Sequence, residues 1–239
     1  MHLLLFIVIN ALAGLFQGVV GLGQGLIATP ISLTFLDKTT VLPAMIVAGA
    51  LLNFSLSRQI KEPLDNKIFK PLFIGGVLGM PFGVVILRLL SMSTLKIGVG
   101  VLSIALTLAI LYVTFKPHHV RILAPITGFI SGVLQTSTGI PGPPIVLLLT
   151  GGGVTKNAMR KILVVYFFWT SVIALPLYLI GGVLTLKGVL FGLCATPAIV
   201  SAGYAGNKVA HHVPQRWYRT LALVTVCATG AYAIYSGIR

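Results

Sequence analysis

Eight apolar runs, separated by short stretches carrying charge, proline or glycine, divide the chain into 2–36, 41–57, 68–90, 95–115, 121–150, 157–181, 187–210 and 217–237. Six of them match the length of roughly 20 residues that one helical crossing of a bilayer needs. The runs 2–36 and 121–150 are too long for an upright helix, and both are interrupted from within. The interruptions are GVVGLGQG, from Gly18 to Gly25, and QTSTGIPGPP, from Gln135 to Pro144. Proline lacks an amide donor and clashes with the preceding turn, so Pro141, Pro143 and Pro144 predict unwound backbone there.

The two interrupted runs are related to each other. A gapless shift of 114 residues superimposes Gly14 on Gly128, Gly18 on Gly132, Gly25 on Gly139, Pro30 on Pro144 and Leu33 on Leu147. It also carries Ala44-Met45 onto Ala158-Met159 and Ser57 onto Ser171. The matches cluster at both breaks, which favours duplication over chance. The expected fold is an all-α polytopic membrane protein of two four-segment repeats, 1–115 and 121–239, within one integral membrane domain. Each repeat opens with a Gly/Pro-broken or re-entrant helix.

Composition removes the alternatives. Hydrophobic residues are 56% of the 239 and charged residues 8%, with a mean hydropathy of +1.02, whereas soluble domains carry about 25% charged residues. Eight spans would use roughly 160 residues and leave about ten per connection, too few for an extramembrane domain. The N-terminal run lacks a basic leader and continues into the glycine-rich break, so it is expected to be a retained membrane segment. The net charge of +14 comes from 17 Lys and Arg against Asp37, Glu62 and Asp65. These bases sit at span ends, where they orient helices and meet lipid head groups; nucleic acid is not an expected partner.

The same charges discriminate between topologies. If all eight segments cross, the two sides receive eight and nine Lys and Arg, which is no bias. If both broken segments return to the side from which they enter, the division becomes twelve against five, as the positive-inside rule requires. A hairpin plus three crossings is an odd unit, so the second repeat would be inverted relative to the first. Inverted repeats whose broken helices meet near the midplane are a recurring transporter architecture.

The breaks also hold the polar residues. Gly23, Gln24 and Gly25 offer irregular backbone and one amide, and half-helix ends present N–H groups to an anion. Gln135, Thr136, Ser137, Thr138 and Gly139 form the second candidate group. Unpaired polar groups at this depth require burial in protein or a water-filled cavity. Asn53, in mid-span, is a candidate for the same cavity or for an interhelical hydrogen bond. Arg58, Arg88 and Arg160 near helix ends could draw anions into a vestibule, but each taken singly reads as a snorkelling anchor; Trp169, Trp217 and the tyrosines near segment ends read as an aromatic belt. Neither the histidine pairs 118–119 and 211–212 nor Cys194 and Cys227 show metal-ligand or disulfide spacing, so no metal and no cofactor are expected. All three acids lie in connections, which removes the usual intramembrane proton relay. Ser131 and Ser137 beside glycines would suit an intramembrane serine protease, but no mid-membrane histidine partners them and a non-enzyme is expected.

The pattern Gly14, Gly18, Gly21, Gly23, Gly25 leading into Thr29-Pro30, with Asn53 in the next segment and a diverged glycine/proline copy in the second half, resembles the TauE/SafE sulfite exporter family over nearly the whole chain. Members usually show a GGG-like triplet where this chain has Gly23-Gln24-Gly25. The resemblance implies a multi-pass plasma-membrane transporter exporting sulfite, a sulfonate or a related small organosulfur anion. The central site would comprise Gly23, Gln24, Gly25, Gln135, Thr136, Ser137, Thr138 and Gly139, with Asn53 as a lesser candidate. An anion channel with the same lining, or a structural component of a membrane complex, is the competing expectation.

Overall fold

The computed structural model describes residues 1–91 and 117–238, with 93, 94, 96–98, 100, 101, 104, 105 and 108 between them. Most of the expected segment 95–115 lies outside the described residues. Among those described, every regular element is a helix. The order is α1 (His2–Val20), a π-helical turn (Gln24–Ala28), α2 (Thr29–Ser32), α3 (Lys38–Gln59), α4 (Asn66–Leu89), α5 (Pro117–Thr138), α6 (Gly142–Gly151), α7 (Lys156–Ile180), α8 (Leu186–Ala210) and α9 (Gln215–Ile238). Five of the described helices, α1, α3, α4, α7 and α8, are long and apolar enough to cross a membrane.

Side chains are distributed as hydrocarbon solvent demands. Ile74, Leu78, Phe82 and Val85 recur at helical spacing on α4 and are all exposed, as are Leu4 and Leu12 on α1 and Ile122 and Ile126 on α5. Apolar faces of this extent are not sustained in water. Asn10, Gln17, Gln24, Asn53, Gln135, Arg160 and Asn207 are instead buried. The chain is a polytopic membrane protein.

Two helix pairs form the scaffold. α1 lies on α8, and α4 on α5, so closely that side chains beyond hydrogen are excluded at the crossings. A Cβ at Gly18 would overlap the Gly203 carbonyl and one at Gly206 that of Leu15; on the other pair, one at Gly132 would overlap the Gly76 carbonyl and one at Gly79 that of Phe129. Small residues permit such backbone contact, and the close packing replaces a hydrophobic driving force that lipid does not supply. α3, buried on almost every side from Thr40 to Leu56, packs between α7 and α8 at the centre.

The connections gather at two faces. Glu62, Thr155, Lys156 and His211 to Pro214 wall one surface depression, so the turns after α3, α6 and α8 share a face. There the Lys156 ammonium donates to Ala210 O and Val213 O, and Lys161 to Ser57 O and Ile60 O, satisfying carbonyls at two helix C-termini. At the opposite face Lys38 Nζ donates to Leu87 O at 3.4 Å and Thr185 Oγ1 to Thr39 O at 2.6 Å. Each broken segment brings its ends together. His2 stacks edge-on against Phe35, just past α2, with ring centroids 6.0 Å apart, and Val120 near the start of α5 packs on Gly152, just past α6.

Three expectations need correction. The breaks are shorter than Gly18–Gly25 and Gln135–Pro144: α1 stays helical to Val20, and α5 through Gln135–Thr138, leaving Gly21–Gly23 and Gly139–Pro141 unwound. Helix resumes at Gly142 because Pro143 and Pro144 fall in its first turn, where an amide donor would have no intrahelical acceptor. Arg160 does not snorkel; it is 2% exposed. Trp169 lies midway along α7, packed edge-on against Phe168 and 46% exposed, and not near a segment end as an aromatic belt requires.

Candidate functional site

Each break begins with a helix terminated by a left-handed glycine. Gly21 (φ 83°) donates its N–H to Gln17 O at 2.6 Å, and Gly139 (φ 72°) to Gln135 O at 3.1 Å. Only glycine adopts this backbone without steric cost, so its position sets where each helix stops. Gln135, Gly139 and Ser171 stand 118 residues after Gln17, Gly21 and Asn53. The break geometry therefore corresponds at an offset one helical turn longer than the 114 that aligns the packing glycines. Gln135–Thr138 is that additional turn.

The two breaks touch. A Cβ on Gly25 would overlap the Gly139 carbonyl oxygen, so the start of the π-helical turn lies directly on the end of α5. Around this contact is a cavity of about 40 Å³, lined by Gln17, Leu22 to Leu26, Met45, Ile46, Gly49, Asn53, Gln135, Gly139 to Gly142, Phe167 and Ser171. None of these side chains is charged.

Amides organise the wall. Gln17 Nε2 donates to Asn53 Oδ1 at 2.7 Å, and Gln17 Oε1 accepts from the Gln24 backbone N–H at 2.8 Å. Asn53 Nδ2 donates to Gly49 O at 2.8 Å. One side chain on α1 thus ties the unwound strand to α3, and buried groups left without these partners would cost about 1–3 kcal/mol each. The other two amides are held loosely. Gln24 Nε2 reaches Met45 O, and Gln135 Nε2 reaches Ser171 Oγ, at 3.4 Å in both cases, near the limit for a hydrogen bond. Their N–H groups can turn to a ligand in the cavity at little cost.

Of the residues expected to line a central site, Gly23, Gln24, Gly25, Asn53, Gln135 and Gly139 are brought together. Thr136, Ser137 and Thr138 do not line the cavity. Thr136 Oγ1 donates to Met80 O at 2.6 Å, joining α5 to α4, while Ser137 and Thr138 donate to the carbonyls of Val133 and Leu134 one turn back. Four consecutive helical residues point in four directions, so only Gln135 faces inward. Ser131 Oγ donates to Pro141 O at 2.6 Å and braces the second break. Gln17 and Ser171 were missed by sequence reasoning. An amide four residues before Gly21, matching Gln135 before Gly139, was the available signal, and the gapless register concealed it. No group of three or more His, Cys, Asp or Glu that could hold a metal occurs among the described residues.

The cavity can offer a small anion neutral amide donors and the Gly142 N–H, the remaining amide of a first turn that carries two prolines. Neutral donors bind an anion without the depth of trapping that a paired cation would impose. No match is found among curated proteins, and none among solved structures. The family described as Sulfite exporter TauE/SafE matches residues 6–233, and the chain belongs to that family.

Proposed function

From membership of the TauE/SafE family, which indicates a membrane transporter for sulfite or a related sulfur compound, we propose that this chain is a secondary transporter or facilitator exporting a small sulfur-containing anion, sulfite or an organosulfonate, across the plasma membrane. The anion would occupy the central cavity, bound by Gln24 and Gln135, with Gln17, Asn53 and Ser171 positioning them. One observation carries the reading: Gly25 and Gly139 bring two helix breaks into contact around an uncharged cavity of amides. A cavity of about 40 Å³ has room for an ion of a few heavy atoms.

The inverted-repeat topology belongs to the same proposal. Its support is the pairing of hairpin ends, His2 with Phe35 at the face of Lys38 and Thr185, and Val120 with Gly152 at the face of Lys156 and His211. Both broken segments would then be re-entrant and oppositely directed. The face bearing Lys61, Lys156, Lys161 and Lys208 would be cytoplasmic by the positive-inside rule.

The test is sulfite flux in proteoliposomes. Wild-type protein should show saturable flux with trans-stimulation by internal sulfite, and Gln135→Leu should raise KM or abolish flux. Thr136→Val should lower stability by about 1 kcal/mol through the lost Met80 hydrogen bond yet leave KM unchanged. Flux without saturation or trans-stimulation would indicate a channel, and a Gln135→Leu protein with wild-type kinetics would remove this site.

A further inference from the structure

A second cavity, of about 450 Å³, opens at the basic face. Its wall includes Gln59, Lys61, Glu62, Asn207 and His211, with Arg160 the most deeply buried. Arg160 Nη2 donates to Gly18 O and to Asn207 Oδ1, both at 2.6 Å. Asn207 Nδ2 in turn donates to Gln59 Oε1 at 3.0 Å, and Gln59 Nε2 to Ser55 Oγ at 3.0 Å. The guanidinium is therefore oriented by a relay of neutral groups from α3 and α8. Both of these bonds come from one terminal nitrogen, and burying a cation to make them carries a desolvation penalty that a neutral side chain would not. What the positive charge adds is attraction for an anion in the cavity it lines, and an ionisable group inside a membrane protein marks such a function by default.

Position gives that attraction a use. A Cβ on Gly21 would lie 3.1 Å from Arg160 Cγ, so the stem of this side chain packs on the first break, whose following residues wall the central cavity. Arg160 thus stands between the outer cavity and the inner one. Lys61 joins it on the wall, and Glu62 is the acid there, so the charge presented is net positive. Lys156 and Lys161 clamp helix ends close by and strengthen the field.

We propose that the outer cavity is a distinct binding site for small soluble oxyanions, with Arg160 as principal ligand and Lys61 in support, occupied before the anion reaches the neutral amides. The inference rests on the transporter reading, but binding at Arg160 does not require turnover. The two can fail separately.

The experiment is calorimetric titration of sodium sulfite into the full chain in phosphatidylcholine nanodiscs, referenced to sodium chloride at equal ionic strength, together with proteoliposome flux. The Gln17→Leu/Asn53→Leu protein should keep sulfite binding, and adding Arg160→Gln should weaken that binding about tenfold or more, the loss expected for a charge-assisted hydrogen bond. Arg160→Gln alone should raise the flux KM by a similar factor while leaving maximal flux within a few-fold. Arg160→Lys should bind several-fold more weakly than wild type, because the planar fork is lost and the charge kept. If Arg160→Gln does not fold, Lys61→Gln decides, with weaker binding expected and unchanged binding overturning the site. Wild-type affinity in Arg160→Gln, loss of all binding in Gln17→Leu/Asn53→Leu, or abolition of binding by added phosphatidylglycerol, which would make lipid the occupant, would each overturn the proposal. Arg160-dependent binding without sulfite flux would leave the outer site standing and refute the transporter reading; normal flux with an unchanged KM in Arg160→Gln would do the reverse.

Discussion

Replacing Gln17 with leucine removes a buried side chain that satisfies two partners at once. The Gln24 backbone N–H loses its acceptor at 2.8 Å and Asn53 Oδ1 loses its donor at 2.7 Å, and all three residues are buried, Gln17, Gln24 and Asn53 being 2%, 3% and 3% exposed. At about 1–3 kcal/mol for each orphaned group, Gln17→Leu should cost about 2–6 kcal/mol. Asn53→Leu orphans Gln17 Nε2 and should cost about 1–3 kcal/mol; Gly49 O keeps its helical donor. In the double variant the orphans on both sides of the Gln17–Asn53 contact vanish, and only the Gln24 N–H remains unsatisfied. The two single losses should therefore exceed the double loss by about 2 kcal/mol or more. SDS titration in mixed micelles, followed by circular dichroism, measures all three. Additivity within about 0.5 kcal/mol would show that the Gln17–Asn53 contact does not hold the break to α3. Sulfite flux in the same proteins should fall in both singles, because the Gln24 wall of the cavity would no longer be positioned.

Two further outcomes follow from the geometry. Gly25→Ala places a methyl group against the Gly139 carbonyl; forcing the breaks apart should cost about 1–3 kcal/mol and reduce sulfite flux, and a variant with full flux and unchanged stability would show that the contact is dispensable. Single cysteines at Pro63 and Val213, in a background lacking Cys194 and Cys227, should be labelled from one side of sealed vesicles by an impermeant reagent. Cysteines at Asp37 and Leu184 should be labelled only from the other, and common labelling of all four would refute the two-faced arrangement of turns.

Much of the architecture was legible because lipid imposes simple rules. Apolar length marked α3, α4, α7 and α8, since a helix that satisfies its own backbone is the economical way to cross hydrocarbon. Gly21 and Gly139 were both within the breaks read from sequence, because left-handed backbone and close contact have few alternatives to glycine. Gln135 and Asn53, polar residues without a place in lipid, both line the central cavity. Thr136, Ser137 and Thr138 were grouped with Gln135 by adjacency, whereas a helix turns each successive side chain by about 100° and sends three of the four elsewhere.

The linear order of residues determined that this is a helical membrane protein, where its helices break, and to which transporter family it belongs, because hydrophobic length, glycine and proline act locally and leave their mark in adjacent positions. Only the tertiary structure decided that Gly25 meets Gly139, that Gln17 rather than Thr136 lines the central cavity, and that Arg160 is held inside by Gly18 and Asn207. Those outcomes depend on partners 36 to 142 residues away. Which polar groups pair in a medium without water is settled by helix packing, and packing is not a local property of the chain.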